Sequence, residues 1–503
     1  FPPDWSSSRL HTVFRAVLLT SRIPDGFPGP AGEIAERALR FVLRSQNEDG
    51  GWGQEAGSAS DPISTSYAVM ALCAQEDPRP AAAGVRFLLR HQRDNGGITS
   101  VSDSIGPRPF IFHVPLLADI FALMALGHVT RRVDGHEHRP SQRHVRSRAP
   151  RTPAVAAVHG VLPPHRYPQA RITDMIARLS LPDPGARAEL ERFHTNARVA
   201  TRHLALPIED YAGLDGFGAA NDAFLAAAVD LGCEAVLGAL SAAGLTPTDV
   251  DVVMSTTVTG IAVPSLDARI AARIGMRPDV RRMPLMGLGC LGGAAGVARL
   301  NDVLLGAPNS VAVLVSVELC SLTMRRDDSS TANMIASGLF GDGAAAVVVV
   351  GADHPRGSLG PRVVDSASHL YPDSERAMGW DVGGGGLKIV LGAEVPDLVR
   401  THLADDVKTL LAPHGLEIDD IARWICHPGG PKVVETIQSV LGLGRDDLAM
   451  TWNSLNRIGN VSSASVLHVF ADTLAERPAA PGDWGVLMAM GPGFSAELVL
   501  LRW

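Results

Sequence analysis

The stretch "PLMGLGCLGGAAGVARLNDVL", residues 284–304, places a lone cysteine, Cys290, where an apolar, Gly-rich segment gives way to small residues with helical spacing. The pattern predicts a strand-to-helix turn, and the free N–H groups and dipole at a helix start lower the pKa of a thiol. A buried free cysteine is also an ordinary small hydrophobe in protein cores. Cys290 is therefore either a packing residue or a nucleophile, and the rest of the chain has to decide.

Outward from this turn, strand-like and helix-like segments alternate from about residue 155 to the C-terminus. Largely apolar runs at 311–320 and 344–352 have the length of buried strands. Helical spacing predicts long helices over 216–244 and 395–415, and the closing segment 483–503 predicts two strands around Gly-Pro-Gly. This alternation is typical of an α/β layer fold.

Two further reactive side chains lie, like Cys290, at a strand end or helix start beside glycine: His427 in "CHPGGP" and Asn460 in "RIGNVSSAS". Taken singly, the His fits a turn and the Asn fits a helix N-cap. Together with Cys290 they provide a nucleophile, a base and a hydrogen-bond donor. Such a set can load an acyl group onto a thiolate paired with His, and can hold the enolate formed when a malonyl thioester loses carbon dioxide. We therefore expect the three side chains to converge.

Five motifs follow one another in this part of the chain: "GC-x-GG" at 289–293, "LFGDGAAAV" at 339–347, "HPGGP" at 427–431, "GN-x-SSAS-VL" at 459–467 and "GPGF" at 491–494. With these motifs, residues from about 160 to 503 resemble the chalcone synthase-like type III polyketide synthases. The resemblance implies an α/β thiolase fold, in which αβαβα layers form two related halves, and a homodimer. It also implies acyl-CoA and malonyl-CoA as substrates, with no cofactor and no metal.

The resemblance assigns roles to individual residues. It implies that Cys290 carries the acyl chain, while His427 and Asn460 activate it and drive malonyl decarboxylation. Further positions are implied to bind substrate: Phe340 as the gatekeeper between the CoA tunnel and the cavity, Gly491, Pro492 and Gly493 as the loop that shapes the cavity, and Thr323, Ile389, Trp380 and Met490 as cavity residues. Because Trp380, Ile389 and Met490 depart from the plant pattern, the bacterial branch and an aliphatic acyl-CoA starter are favoured over an aromatic one.

The N-terminal part contains a weak internal repeat. "ALRFVLRSQNEDGGWG" at 38–53 aligns with "GVRFLLRHQRDNGGIT" at 84–99, and return helices are predicted at 63–73 and 115–127. In each copy a helical pattern ends at Gly-Gly, which supplies the positive φ that terminates a helix. The pattern resembles the repeats of the terpenoid cyclase and prenyltransferase α/α-barrel superfamily. No Asp-rich acid motif or metal triad accompanies it, so 1–129 is predicted to be a helical repeat segment without chemistry of its own.

Residues 130–153 are rich in Arg, His and Pro and nearly free of large apolar residues, which predicts a disordered basic linker before a thiolase-fold domain at 154–503. A formal charge of −8 gives no general attraction to nucleic acid. Five scattered cysteines indicate reduced thiols and a cytoplasmic protein. No uninterrupted apolar run approaches the ~18 residues of a membrane span.

Two alternatives remain at this stage. A ketosynthase III-like condensing enzyme of fatty-acid synthesis also uses Cys, His and Asn, but its His usually lies in a His-Gln-Ala-Asn setting, so "HPGGP" and "GPGF" favour the polyketide synthase. A terpenoid-cyclase-related fusion protein would explain the N-terminal repeat, although the repeats are too few for a closed barrel.

Overall fold

The computed structural model describes residues 13, 31–73, 77, 79–93, 96–100, 116–133, 152–180, 184–357 and 359–503. The chain divides into two compact units, Phe1–Arg146 and Ser147–Trp503. The first unit is helical and the second contains all the long strands of the described residues.

The helical unit contains helices α1 (Ala31–Arg44), α2 (Pro62–Leu72), α3 (Arg79–Arg90) and α4 (Leu116–Val133). Its two repeat copies close in the same way, because each uses a Gln side chain to hold the following turn. Gln46 donates to the carbonyl oxygen of Gly50 at 2.9 Å, and Gln92 donates to that of Gly96 at 3.0 Å. Both glycines have positive φ, +87° and +84°. The predicted repeat is thus a real structural repeat.

A buried aromatic residue ties the first copy together. The indole N–H of Trp52 donates to the Val42 carbonyl at 2.7 Å, and the ring is fully buried. Helix α4 continues to Val133, four residues into the segment predicted as linker. At the other end of that segment, the carbonyls of Thr152 and Pro153 already accept hydrogen bonds from the sheet unit. Residues 134–151 of the predicted linker lie outside the described residues.

The second unit is built from thirteen described strands: β1 (Ala154–Val161), β2 (His165–Pro168), β3 (Thr201–Leu204), β4 (Val252–Thr256), β5 (Arg281–Leu285), β6 (Val311–Leu319), β7 (Asp342–Val350), β8 (Arg362–Leu370), β9 (Met378–Gly383), β10 (Gly386–Leu391), β11 (Ile421–Cys426), β12 (Trp484–Gly491) and β13 (Ser495–Arg502). Its described helices are α5 (Gln169–Ser180), α6 (Pro184–Asn196), α7 (Gly216–Ala243), α8 (Leu266–Ile274), α9 (Gly292–Leu305), α10 (Thr331–Leu339), α11 (Val395–Leu411), α12 (Pro431–Leu441), α13 (Ala449–Ile458) and α14 (Ser462–Glu476). Short 3₁₀ turns at Gly289–Leu291 and Cys320–Thr323 precede α9 and follow β6.

The strand order shows two related halves. One half runs β5-β4-β6-β7-β1 and the other β11-β12-β13-β8, and the two are joined by the single pair Ala154–Arg362. In the first half β4 and β6 are parallel, while β6–β7 and β7–β1 are antiparallel. The second half repeats this pattern, with β11–β12 parallel and β12–β13 and β13–β8 antiparallel. Strand for strand, β4, β6, β7 and β1 correspond to β11, β12, β13 and β8.

Each half of the sheet is covered on both faces, which explains the largely apolar runs in the strands. Alternate residues of β6 and β7 face either the outer helices, among them α7, or a central cluster. Strands β12 and β13 likewise alternate between that central cluster and an outer one containing α11 and α12. Helices α9 and α14 fill the centre between the sheets. The order of layers is therefore αβαβα, the thiolase fold that the sequence predicts.

Helix α7, Gly216–Ala243, is the one helix among the described residues that is long and apolar enough to cross a membrane by length and composition. The sequence predicts this helix but did not indicate a candidate membrane span, because small residues, and not an unbroken run of large apolar ones, make it apolar. More than half of its most apolar window is buried inside the fold, where residues such as Phe224 and Ala235 pack against the first sheet.

The close packing of the two central helices predicts the effect of a single added methyl group. A Cβ on Gly293 of α9 would lie 2.3 Å from the Ser463 carbonyl oxygen of α14, whereas one on Gly306, at the end of α9, would have 3.6 Å to its nearest neighbour. We expect Gly293→Ala to cost about 1–3 kcal/mol through overpacking and Gly306→Ala to stay within about 0.5 kcal/mol. Urea unfolding of the two variants beside the parent measures this, and equal midpoints for both would contradict the packing described.

Candidate active site

The N-termini of the two central helices meet at the site. Cys290 lies in the 3₁₀ turn Gly289–Leu291, directly before α9, and Asn460 lies two residues before α14. In the chain, α9 lies between β4 and β6, and α14 lies between the corresponding strands of the second half, β11 and β12. The internal symmetry of the fold therefore brings together two residues that are 170 positions apart in the sequence.

Cys290 is buried, and its thiol donates to the Ser462 hydroxyl, with 3.8 Å between sulfur and oxygen. The side chain of Asn460 also hydrogen-bonds to the thiol. Ser462 has φ of 46°, an uncommon value for a residue with a side chain. Such backbone strain persists where the surrounding structure fixes it, as it does at functional sites. The structure thus places Cys290 and Asn460 close together.

The charge state of the thiol differs from the expectation. Burial raises the pKa of Cys290 to about 12, and the nearby Glu318 carboxyl raises it further, although Ser462 and Asn460 oppose the shift. The helix start that was expected to lower this pKa is present, but the shift caused by burial runs in the opposite direction. Burial therefore favours the neutral thiol at this position.

Glu318, on β6, is fully buried behind Cys290. Its carboxylate accepts hydrogen bonds from the Thr259 hydroxyl at 2.9 Å, the Val258 N–H at 3.1 Å and the Ser463 hydroxyl at 2.5 Å. Burial raises the pKa of this carboxyl despite these donors. Sequence reasoning missed Glu318, although a single acidic residue inside the apolar run "VAVLVSVEL" was a signal that could have found it.

His427 follows β11, and its backbone N–H donates to the Met488 carbonyl of β12 at 2.9 Å. The imidazole is buried, and burial lowers its pKa to about 3. Within the described part of the chain, neither ring nitrogen has a hydrogen-bond partner. Among the described residues no hydrogen bond therefore joins the imidazole to the Cys290 thiol, and the pair expected between them stays a prediction. A buried imidazole with two unsatisfied nitrogens is costly and marks a functional position.

Asn460 is joined to Phe340 by a short parallel bridge. The Asn460 N–H donates to the Leu339 carbonyl and the Gly341 N–H donates to the Asn460 carbonyl, each at 2.9 Å. The side-chain oxygen of Asn460 accepts from the Ser462 N–H at 2.8 Å, which leaves its amide hydrogens free to donate elsewhere. Asn460 thus serves the start of α14, as a capping residue does, and also reaches the thiol.

A cavity, partly open to solvent, lies at Cys290. Five of the predicted substrate-binding residues line it: Thr323, Phe340, Trp380, Ile389 and Pro492. Trp380 and Ile389 face each other across the β9–β10 hairpin, which forms one wall. Apolar side chains such as Met175 and Ile176 complete much of the surface. Five of the eight substrate-binding residues proposed from the sequence therefore lie in the cavity wall.

Three predicted cavity residues are not part of this wall: Met490, Gly491 and Gly493. Met490 pairs with Ala496 in the sheet and packs into the outer core cluster, so its side chain points away from the cavity. Gly491 instead lets the Cys290 turn approach the strand, since a Cβ there would lie 2.7 Å from the Leu288 carbonyl oxygen. These residues shape the site from behind.

Arg202 is a buried cation that sequence reasoning missed. It lines the same cavity, and its guanidinium donates to the Phe340 carbonyl at 2.6 Å and to the Gln169 side-chain oxygen at 3.0 Å. Burial lowers its pKa to about 10. Among the described residues there is no cluster of three or more His, Cys, Asp or Glu side chains that could hold a metal ion.

Comparison with known proteins finds three family models that match successive parts of the chain. The model of the chalcone and stilbene synthase N-terminal domain matches residues 140–354, and that of the C-terminal domain matches 362–503. The squalene-hopene cyclase C-terminal domain matches residues 29–131. The last match agrees with the α/α-repeat resemblance of the N-terminal part.

Individual relatives agree with these matches. The chain is 57% identical to the 1,3,6,8-tetrahydroxynaphthalene synthase of Streptomyces peucetius subsp. caesius, over 70% of this chain and 93% of that one. It is 34% identical to a putative chalcone synthase of Bacillus subtilis, over 61% and 87% of the two chains. The crystal structure of the 1,3,6,8-tetrahydroxynaphthalene synthase of Streptomyces coelicolor, a bacterial type III polyketide synthase, superposes with a TM-score of 0.66 at 30% identity, covering 70% and 99% of the chains.

Proposed function

Because this chain belongs to the chalcone and stilbene synthase family and is a type III polyketide synthase, we propose that Cys290, His427 and Asn460 perform its acyl transfer and decarboxylative condensation. The observation that supports this assignment is the meeting of the thiol and the Asn460 side chain at the starts of the two central helices, with Cys290 and Ser462 in the wall of the cavity. His427 directly follows β11, the strand of the second half that corresponds to β4 of the first half.

In the loading step, Cys290 attacks the carbonyl of a CoA thioester. His427 takes the thiol proton and returns it to the departing CoA thiolate, so that one thioester replaces another at little energetic cost. Burial lowers the pKa of His427 and raises that of Cys290, so both shifts oppose this proton transfer before substrate binds. The bound thioester therefore has to supply the partners that stabilise the charges formed.

In the extension step, malonyl-CoA loses carbon dioxide and leaves an enolate on the remaining thioester. The free amide hydrogens of Asn460 and an N–H of His427 are the donors for the enolate oxygen. The enolate carbon then attacks the acyl group on Cys290 and releases the thiol. Sulfur-to-sulfur exchange and loss of a carboxylate next to a thioester need no redox group, so we propose CoA thioesters as the substrates and no cofactor.

The 57% identity to a tetrahydroxynaphthalene synthase supports the same type of product for this chain. The ten carbons of a naphthalene correspond to five two-carbon units, with oxygens at alternate carbons, as malonyl-derived units would leave them. A malonyl unit is then the starter as well as the extender, in place of the aliphatic acyl-CoA that the sequence favoured. Cytoplasmic localisation stays a prediction.

A homodimer is also part of this proposal, and one apolar sheet edge supports it. The loops after β4 and β5, which are adjacent and parallel, expose Val263 to 92% and Met286 to 70%, with Ile261 beside them at 39%. Apolar side chains so exposed at one edge indicate a covered surface.

We predict that Val263→Asp shifts the protein from dimer to monomer, because a charge would have to be desolvated in the contact. Light scattering after size exclusion measures the mass. The control is Leu305→Asp, at an exposed position at the C-terminal end of α9, which should leave the mass unchanged. A parent that is already a monomer, or a variant that remains a dimer, would contradict this interface.

We predict that the purified chain with malonyl-CoA alone releases carbon dioxide and CoA and forms a tetrahydroxynaphthalene, detected by mass spectrometry. No acyl carrier protein is needed, because the substrate is the CoA thioester itself. A strict requirement for carrier protein would instead support a ketosynthase of fatty-acid synthesis, and a strict requirement for a different acyl-CoA would contradict the malonyl starter.

We predict that Cys290→Ala abolishes chain extension but leaves malonyl-CoA decarboxylation, which needs Asn460 and His427 rather than the thiol. Asn460→Ala should lower decarboxylation by about 100-fold, since one lost oxyanion donor costs ~3 kcal/mol. Release of labelled carbon dioxide measures both variants. Parent-like decarboxylation by the Asn460 variant would remove Asn460 from the mechanism.

A further inference from the structure

A buried hydrogen-bond chain ends at the wall of the cavity. Ser321 lies in the 3₁₀ turn Cys320–Thr323 and lines the cavity that holds Cys290. Its hydroxyl donates to the Asp342 carboxylate, and its backbone N–H donates to the other carboxylate oxygen at 2.8 Å. The phenol oxygen of Tyr211 lies 2.5 Å from the Ser321 hydroxyl. Because an ionised carboxylate only accepts, the order of donation runs from Tyr211 to Ser321 to Asp342.

Asp342, the first residue of β7, is completely buried and also accepts the Ala205 N–H at 2.7 Å. Burial raises the pKa of Asp342 to about 6, while the donors from Ser321 and the positive charge of Arg202 oppose the shift. The carboxylate is thus stable when ionised and can still take up a proton near neutral pH, as a general base must.

Other hydroxyls of the cavity wall are placed differently. Thr323 donates to the Cys320 carbonyl at 2.8 Å and Ser337 donates to the Met334 carbonyl at 2.9 Å, so their protons are held by backbone groups that cannot accept them fully. The Nε2 atom of His194 also lies 3.1 Å from the Ser337 oxygen, but burial lowers the pKa of this imidazole to about 3, which makes it a weak base. Thr259 reaches Glu318, but that carboxyl belongs to the network behind Cys290. Ser321 therefore connects the cavity to a base separate from Cys290, His427 and Asn460.

We propose that Ser321 is a catalytic residue for carbon–carbon ring closure and acts as the cavity end of a proton relay to Asp342. The proposal rests on the polyketide synthase function above. Ser321 accepts a proton from the enol or activated methylene of the bound chain while its own hydroxyl proton passes to Asp342. The released electron pair forms the new carbon–carbon bond to a ketone carbon of the same chain. The resulting alkoxide takes the proton back from Asp342 through Ser321, so protons and electrons balance.

Without this relay the same chain has an easier reaction. An enol oxygen is more acidic than a methylene and can attack the thioester on Cys290 directly, which closes a pyrone and releases the thiol. The ratio of carbocyclic phenol to pyrone therefore reports on ring closure, whereas release of carbon dioxide reports on extension. A merely structural residue would change both together.

The experiment uses the full chain with malonyl-CoA and measures carbon dioxide release and the two product classes by mass spectrometry. For Ser321→Ala we expect carbon dioxide release within about twofold of the parent and a phenol-to-pyrone ratio lowered at least ~tenfold, within the usual contribution of a proton-transfer group. Ser321→Thr, which keeps the hydroxyl, should restore most of the ratio. Ser337→Ala, which removes a wall hydroxyl held by a backbone carbonyl, should change the ratio less than about twofold.

A parent-like ratio in Ser321→Ala, or an equal loss of carbon dioxide release and phenol, would overturn the relay. Tyr211→Phe gives a second test if Ser321→Ala folds poorly: it keeps Ser321 and Asp342 in place, and we expect a smaller fall in the ratio, whereas an unchanged ratio counts against the relay. A parent chain that releases no carbon dioxide from malonyl-CoA would instead contradict the proposed function itself, so the two failures are distinguishable.

Discussion

The contact on which this site depends is the close approach of helices α9 and α14 at Gly293 and Ser463. A Cβ at Gly293 has no room against the Ser463 carbonyl, and a Cβ at Gly292 would lie 2.6 Å from the Thr256 hydroxyl oxygen and 3.2 Å from the Ser463 Cβ. Small residues at the start of α9 therefore set how near the two helix N-termini can come. Cys290 and Asn460 precede those N-termini, so the distance between thiol and amide follows from backbone packing rather than from flexible side chains.

Burial has a second consequence, for charge. The same dry core that fixes the geometry raises the pKa values of Cys290 and Glu318 and lowers that of His427. At rest the site therefore holds a neutral thiol and a neutral imidazole. Ionised forms are stable here only when opposite charges or hydrogen bonds accompany them. Substrate, which brings its own thioester oxygen and leaving sulfur, supplies these partners at the moment when proton transfer is needed.

The sequence predicts those parts of the fold that local patterns determine. The strand expected from "VAVLVSVEL" spans Val311–Leu319, and the helix expected over 216–244 spans Gly216–Ala243, because burial on all sides leaves unbroken apolar or small-residue runs. The antiparallel pairing of β8 with β13 was not predicted, since strand partners far apart in sequence leave no local signal. The β9–β10 hairpin was also not predicted, although its two-residue Gly-Gly connection is a local hairpin signal.

The site was predicted residue by residue through its motifs, and the limits of that approach are physical. Motifs identified Cys290, Phe340 and Asn460, which the fold brings together. They could not give the protonation of Cys290, which depends on the total burial, or the direction of Met490, which depends on the face that β12 turns toward the core. Buried polar groups such as Arg202 and Asp342 acquire their importance only from neighbours that the fold supplies.

The central claim is that Cys290 carries the acyl chain, and the most direct test is to find it there. The Asn460→Ala variant, which should load but not extend, is incubated with malonyl-CoA, the proposed starter, then quenched in acid and digested for mass spectrometry. The account predicts a malonyl-derived acyl group on the peptide containing Cys290 and none on Cys320, which lines the same cavity. A folded protein that carries no acyl group on Cys290, or carries it on Cys320 instead, would contradict the account.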